Sequence, residues 1–154
     1  MRRVTRPEGE QAHHRALESL YAAAPINRFF RSTLEIVEPG VSRIRFTIDE
    51  HHFHAAGAAH GTGYFKMLDD AAFYAANSLV TDRFLLTTAF NLLFTRPLGA
   101  GSVVAEGRWI SGRRRVLVAD ARLIDGGGEE VARGTGTFMR SRIPLATLAG
   151  YRAA

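Results

Sequence analysis

Apolar and polar positions change period several times along the chain, and each change marks an element. In "GEQAHHRALESLYAAA", residues 9 to 24, Leu17, Leu20, Tyr21 and Ala24 fall at helical spacing and the pattern stops at Pro25. This predicts a short amphipathic helix within an N-terminal helical extension over about residues 8–30. "VSRIRFTID", after "EPG" at 38 to 40, sets Ile44, Phe46 and Ile48 against Arg43, Arg45 and Thr47, the alternation of a strand with one wet face. The apolar run from Tyr64 to Leu79 is too long and alanine-rich for a strand and predicts a central helix. Beyond it, "RFLLTTAFNLLFTRP", "GSVVAEGRWI", "RRVLVADARLID" and "EEVARGTGTFMR" are separated by turn-rich links, which predicts four consecutive strands in an antiparallel meander. A helix too apolar to face water on every side is best buried by a single sheet curling around it. The expectation is one α+β domain over residues 1–154, with five antiparallel strands wrapped around a long helix. Gly134 and Gly136 share a face of the last strand and leave room there for a close backbone approach, with a local bend as the alternative.

Composition narrows the class without naming it. Of the 154 residues, 46% are hydrophobic, enough for a core, and no window has the uninterrupted apolar length of a membrane span. Cysteine is absent, which excludes disulfides and thiolate metal sites. A soluble cytoplasmic protein is expected, with no membrane partner. The net charge of +5 favours an anionic partner, but "GRRRV" at 112 to 116 is the only dense basic cluster and lacks interleaved aromatics apart from Trp109. A nucleic-acid partner is therefore not expected. His51, His52, His54 and His60 fall within ten residues, yet their spacing fits no standard zinc pattern, and no metal site is assigned.

The adjacent carboxylates Asp69 and Asp70 lie inside the central helix. At about 100° per residue, Phe65, Leu68, Ala71, Ala72, Ala75, Ala76 and Leu79 form one broad apolar face. Asp70 falls on the opposite side, four residues after Lys66, and reads as half of a helix-surface ion pair. Asp69 falls at the edge of the apolar face, where a carboxylate is unfavourable unless a partner, water or substrate uses it. It is a candidate general base; a satisfied structural carboxylate is the alternative. "HGTG" opens the same helix, and the free N–H of Gly61 at its positive end could hold an oxyanion. His60 would hold the preceding loop and Thr62 is placed to cap the helix; with His54 both are also candidate substrate-binding residues. Gly61 and Asp69 are separated by roughly 12 Å along one helix, so one carbonyl cannot touch both. If both act, one comes from a second chain, which predicts a dimer at least, with a tetramer left open.

With these residues placed, the sequence resembles the hotdog-fold acyl-CoA thioesterases, specifically the phenylacetate-pathway (PaaI-like) branch of the 4-hydroxybenzoyl-CoA thioesterase superfamily. The resemblance covers residues of about 35 to 145 and is carried by His60, Gly61, Asp69 and "AANS" at 75 to 78, with support from "TTAFNLLFTRPLGAG" and "EVARGTGTF". It implies hydrolysis of an acyl-CoA thioester, with Asp69 as base or nucleophile, Gly61 from the neighbouring subunit polarising the carbonyl, and Thr87 orienting the attacking water. Two positions depart from the pattern: Thr62 stands where relatives often carry glycine, and His54 where many carry an asparagine that contacts nucleophile or substrate. Arg113, Arg114 and Arg115, in a turn between strands, become candidates for the phosphates of coenzyme A, with a solvated hairpin tip as the alternative. Water is the second substrate and no cofactor is implied. Tyr64, Phe65, Phe73 and Phe90 are candidates for an acyl pocket or for core. A catalytically silent acyl-CoA-binding or regulatory protein is the alternative function.

Overall fold

The computed structural model describes residues 8–153; the basic start of the chain, residues 1–7, and Ala154 lie outside them. The N-terminal extension forms α1 (Glu8–Ala23) and, after Pro25, α2 (Pro25–Phe30). Strands β1 (Thr33–Glu38) and β2 (Val41–Ile48) follow, then α3 (Gly61–Asn77), β3 (Arg83–Phe94), β4 (Gly101–Ser111), β5 (Val116–Ile124) and β6 (Glu130–Pro144). All pairings are antiparallel and the order across the sheet is β1-β2-β4-β5-β6-β3. The sheet curls around α3, which packs against every strand.

Two details differ from the sequence expectation. Among the described residues the sheet has six strands, because "TLEIVE" pairs with β2 through a tight turn at Pro39-Gly40, where Gly40 takes φ +79°. The four later strands do not form one meander: β3 pairs with β6 at the far edge, and β4 inserts between β2 and β5. Link length does not dictate pairing here. Residues 95–100 can extend about 20 Å, enough to cross the three strand spacings of about 14 Å between β3 and β4.

Small residues let the helix lie directly on the sheet. Ala71, Ala72, Ala75 and Ala76 are fully buried, the Ser42 hydroxyl donates to the Ala71 carbonyl, and a Cβ on Gly107 would overlap that same carbonyl. Beside Gly134 both the Phe90 ring and the Asn91 carbonyl come close, and beside Gly136 the rings of Phe138 and Phe90 do. The "AANS" segment is a helix stop. Asn77 Oδ1 accepts from the Leu85 N–H at 3.0 Å while its amide donates to the Val80 and Arg83 carbonyls. The Ser78 hydroxyl donates to the Ala75 carbonyl and accepts from the Gly40 N–H, both at 2.7 Å. His13 of α1 donates through Nε2 to the Asn77 carbonyl at 2.9 Å and accepts from the Tyr151 hydroxyl at 2.6 Å, tying both ends of the chain to this stop. Burial holds the His13 imidazole below its ordinary pKa.

The polar side of α3 is covered. Asp70 and Lys66 form the expected ion pair, but their side chains are only 18% and 13% exposed because α1 and α2 pack over them. Tyr21 donates to Asp70 at 2.9 Å, and the Lys66 ammonium donates to Asn27 at 2.6 Å and lies 5.0 Å from the centre of the Tyr21 ring. The pair belongs to the interior rather than to the surface. Burial pushes the Asp70 carboxyl up, and Lys66 and the Tyr21 hydroxyl oppose that shift.

Candidate functional site

Asp69 and Thr87 come together. The Thr87 hydroxyl, from the open edge strand β3, donates to Asp69 Oδ1 at 2.9 Å. Burial drives the Asp69 carboxyl up to about 6; the Thr87 hydrogen bond opposes this, the Asp70 charge adds to it, and Lys66 opposes it weakly. A carboxyl poised there is ionised at neutral pH yet basic enough to take a proton from water. One helical turn earlier, Phe65 is 43% exposed and packs edge-on against Phe90, ring centres 5.6 Å apart. Phe73, the other helix phenylalanine proposed for a pocket, is core, packed against Tyr74, Phe84 and Phe138.

His60, Gly61 and Thr62 form a second centre at the start of α3. His60 is the N-cap: its Nδ1 accepts from the Thr62 N–H at 3.0 Å and from the Thr62 hydroxyl at 3.1 Å, which puts the ring proton on Nε2. Thr62 therefore does not cap the helix; the imidazole one residue outside it reaches the N–H first, and the threonine hydroxyl braces that imidazole. Gly61, first residue of the helix, has an N–H that the helical ladder leaves without an acceptor. Its Cα hydrogen side abuts the Phe94 ring, 3.3 Å from where a Cβ would stand. His54 Nδ1 accepts from the Ala56 N–H at 3.0 Å and closes a turn. His54, Gly61, Tyr64, Phe94, Arg96 and Pro97 line a cavity of about 280 Å³. Arg96, Phe94 and Pro97 were not predicted; nothing local in "FTRPLG" marks them, because the pairing of β3 with β6 brings them there.

The two centres are not joined within one chain. Asp69 and Thr87 do not line the cavity at Gly61, and the helix keeps Gly61 and Asp69 about 12 Å apart. The arginine turn is a third location. Val116, Met139 and Leu86 are opposite one another across β5, β6 and β3, so the turn begins two strand spacings, about 10 Å, from the residue beside Thr87. Arg113 stacks on Trp109 at 4.8 Å, its carbonyl accepts from the Arg140 guanidinium, and Arg114 and Arg115 are exposed. A larger cavity of about 540 Å³ lies on the outer face of the sheet. It holds none of the predicted site residues, and its Arg122 is already bound to Glu106 at 2.8 Å and 3.1 Å.

Residues 56–132, which include His60, Gly61, Asp69 and Thr87, match the family model described as the thioesterase superfamily. The chain belongs to the thioesterase superfamily. Its general chemistry is the hydrolysis of thioesters, and the chain is an enzyme of that class. A candidate esterase of Saccharolobus solfataricus is 30% identical over 114 residues, 74% of this chain and 76% of the relative. Among solved structures, the Escherichia coli PaaI protein of the phenylacetic acid degradation operon superposes with a TM-score of 0.80 at 18% identity, over 88% of this chain and 97% of that one. A mutant of the phenylacetic acid degradation protein PaaI from Thermus thermophilus superposes with a TM-score of 0.69 at 24% identity, over 77% of this chain and all of that one. These two share the hotdog fold expected from the resemblance. No helix of the described residues is long and apolar enough to cross a membrane.

Proposed function

We propose that this thioesterase-superfamily protein hydrolyses an acyl-CoA thioester to a carboxylic acid and free coenzyme A, as a PaaI-like cytoplasmic homodimer. The observation that carries the reading is the half-buried Asp69 carboxylate, raised to about 6 and held by Thr87 on a strand whose outer edge is open. In this reading Asp69 takes a proton from water, and the resulting hydroxide attacks the thioester carbonyl carbon. The tetrahedral oxyanion rests on the N–H of Gly61 from the partner subunit. Collapse breaks the carbon–sulfur bond, and the departing thiolate takes the proton back from Asp69. Thr87 orients the water, His60 and Thr62 fix the helix start, and His54 borders the substrate. Arg113, Arg114 and Arg115 bind phosphate.

Among the described residues no strand pairs with the outer edge of β3, which supports the dimer. It is twelve residues long, and Leu93 and Phe94 on it are each 57% exposed, an edge that a second copy would cover by continuing the sheet. Thiol release across aliphatic and aryl acyl-CoAs tests the reading, with Asp69→Asn as the control. Turnover by the wild type and its loss in Asp69→Asn are expected. An inert wild type that still binds acyl-CoA would replace hydrolysis by a silent binding role. Mixed dimers of an Asp69→Asn chain with a Gly61→Pro chain should recover part of the activity; verified mixed dimers without recovery would sink the shared site.

A further inference from the structure

Strand β3 carries one residue more than its partner can match. Leu85, Leu86 and Thr87 face Arg140, Met139 and Phe138, while Ala89, Phe90 and Asn91 face Thr137, Gly136 and Thr135, so Thr88 has no counterpart on β6. An inserted residue exchanges the two faces of a strand beyond it. Before the bulge, the helix side is taken by Leu85 and Thr87, opposite Arg140 and the buried Phe138; after it, by Phe90 and Leu92, opposite the buried Gly136 and Gly134. Thr87 and Phe90 are three residues apart and would point to opposite faces of a regular strand. Here both reach α3, Thr87 at Asp69 and Phe90 at Phe65, two helix residues one turn apart.

The bulge is latched. The Thr88 hydroxyl donates to the Thr137 carbonyl at 3.1 Å, and the Thr137 hydroxyl, 2.9 Å away, donates back to it, an arrangement that uses both protons. Neither threonine touches Asp69. We infer that Thr88, latched to Thr137, is a positioning residue for thioester hydrolysis: it holds the bulge that aims the Thr87 hydroxyl at Asp69 and the Phe90 ring at Phe65. The inference rests on the reading of Asp69 as the base.

Thr88→Val removes both bonds of the latch and Thr137→Val one of them, and both keep the branched shape; Thr88→Ser keeps the hydroxyl. Thr88→Val is expected to lower kcat about tenfold, the worth of one misplaced hydrogen bond, with KM within about twofold. It should also move the acid limb of kcat/KM to higher pH, because Thr87 no longer steadies the Asp69 carboxylate. The charged groups acting on Asp69, Asp70 and Lys66, both lie on α3 and are untouched by the change. Thr88→Ser should restore both quantities, and Thr87→Val with Thr88→Val should lose little more than Thr87→Val alone, since the latch acts through Thr87. A folded Thr88→Val with wild-type kcat and acid limb, beside an inactive Asp69→Asn, overturns the latch and leaves the base standing. An active Asp69→Asn overturns both.

Discussion

If Asp69 is the base, the pH dependence of turnover follows from where its carboxyl sits. The folded protein holds it at about 6 against an ordinary value of 3.8, chiefly through burial. A base works ionised, so kcat/KM should rise through an acid limb centred near 6. The ionised fraction is then about a tenth at pH 5 and about nine tenths at pH 7, a change of roughly tenfold; an ordinary carboxyl would change by less than about a tenth over the same range. The same shift has a cost in stability. The folded state grips this proton more tightly than the unfolded chain, so stability is lost as pH rises from about 4 to about 6 and stays lost above that. Asp69 is half-buried and partly screened, which limits the effect to about 1–2 kcal/mol. Asp69→Asn keeps an oxygen for the Thr87 hydroxyl and removes the charge. Turnover should fall by about 10²–10⁴, while the melting temperature at pH 7 rises by roughly 2–6 °C. Thiol release between pH 5 and 8, with thermal melts of both proteins, reads both effects. A profile flat to pH 5, or an asparagine variant less stable than the wild type, would refute the reasoning.

Three further outcomes follow from the geometry. Lys66→Met leaves the Asp70 carboxylate buried without its cation and should destabilise the fold by about 3–5 kcal/mol in denaturant melts; in whatever remains folded, the acid limb of kcat/KM should move to higher pH. Gly107→Ala drives a Cβ into the Ala71 carbonyl, so soluble yield and melting temperature should collapse, by more than about 3 kcal/mol of stability; a variant that melts like the wild type would mean α3 does not lie on β4. Replacing Arg113, Arg114 and Arg115 together by alanine should raise KM for an acyl-CoA severalfold and leave it unchanged for the matching acyl-pantetheine, with stability moved by less than about 0.5 kcal/mol; equal effects on both substrates would mean the turn binds no phosphate.

The central helix and the strands beside it were legible because burial imposes a period that the sequence must carry. The run of alanines and leucines through α3 and the alternation of Ile44, Phe46 and Ile48 are such records, and both elements formed where expected. Strand order was not legible, since "TRPLGAG" is equally consistent with a link to a neighbour and with a crossing to the middle of the sheet. The bulge at Thr88 was hidden for a related reason: an inserted residue shows only against a partner strand, and β6 lies about fifty residues away in sequence. Asp69 was singled out as a candidate because a carboxylate at the rim of an apolar face needs an explanation. The histidine cap was assigned to its neighbour because Thr62 is the commoner capping residue type, whereas the structure gives that bond to His60.

The two aspartates show how far one chain's own packing can separate neighbours in sequence. Both lie on α3, one residue apart, and burial raises both carboxyls. The difference lies in what covers them. Over Asp70 sit Tyr21 and Lys66, with Asn27 holding the ammonium, so its charge is met on several sides. Tyr21 and Asn27 come from α1 and α2, outside residues 56–132 that match the superfamily. The extension therefore supplies hydrogen bonds that the matched region lacks, and without them an uncompensated Asp70 would press on Asp69 and raise its carboxyl further. Among the described residues Asp69 has one hydrogen bond, from Thr87, which leaves lone pairs to spare at the rim of the sheet. A carboxylate with spare acceptor capacity beside a compensated neighbour suits proton transfer, and the open edge of β3 is where a second subunit would bring the complementary N–H.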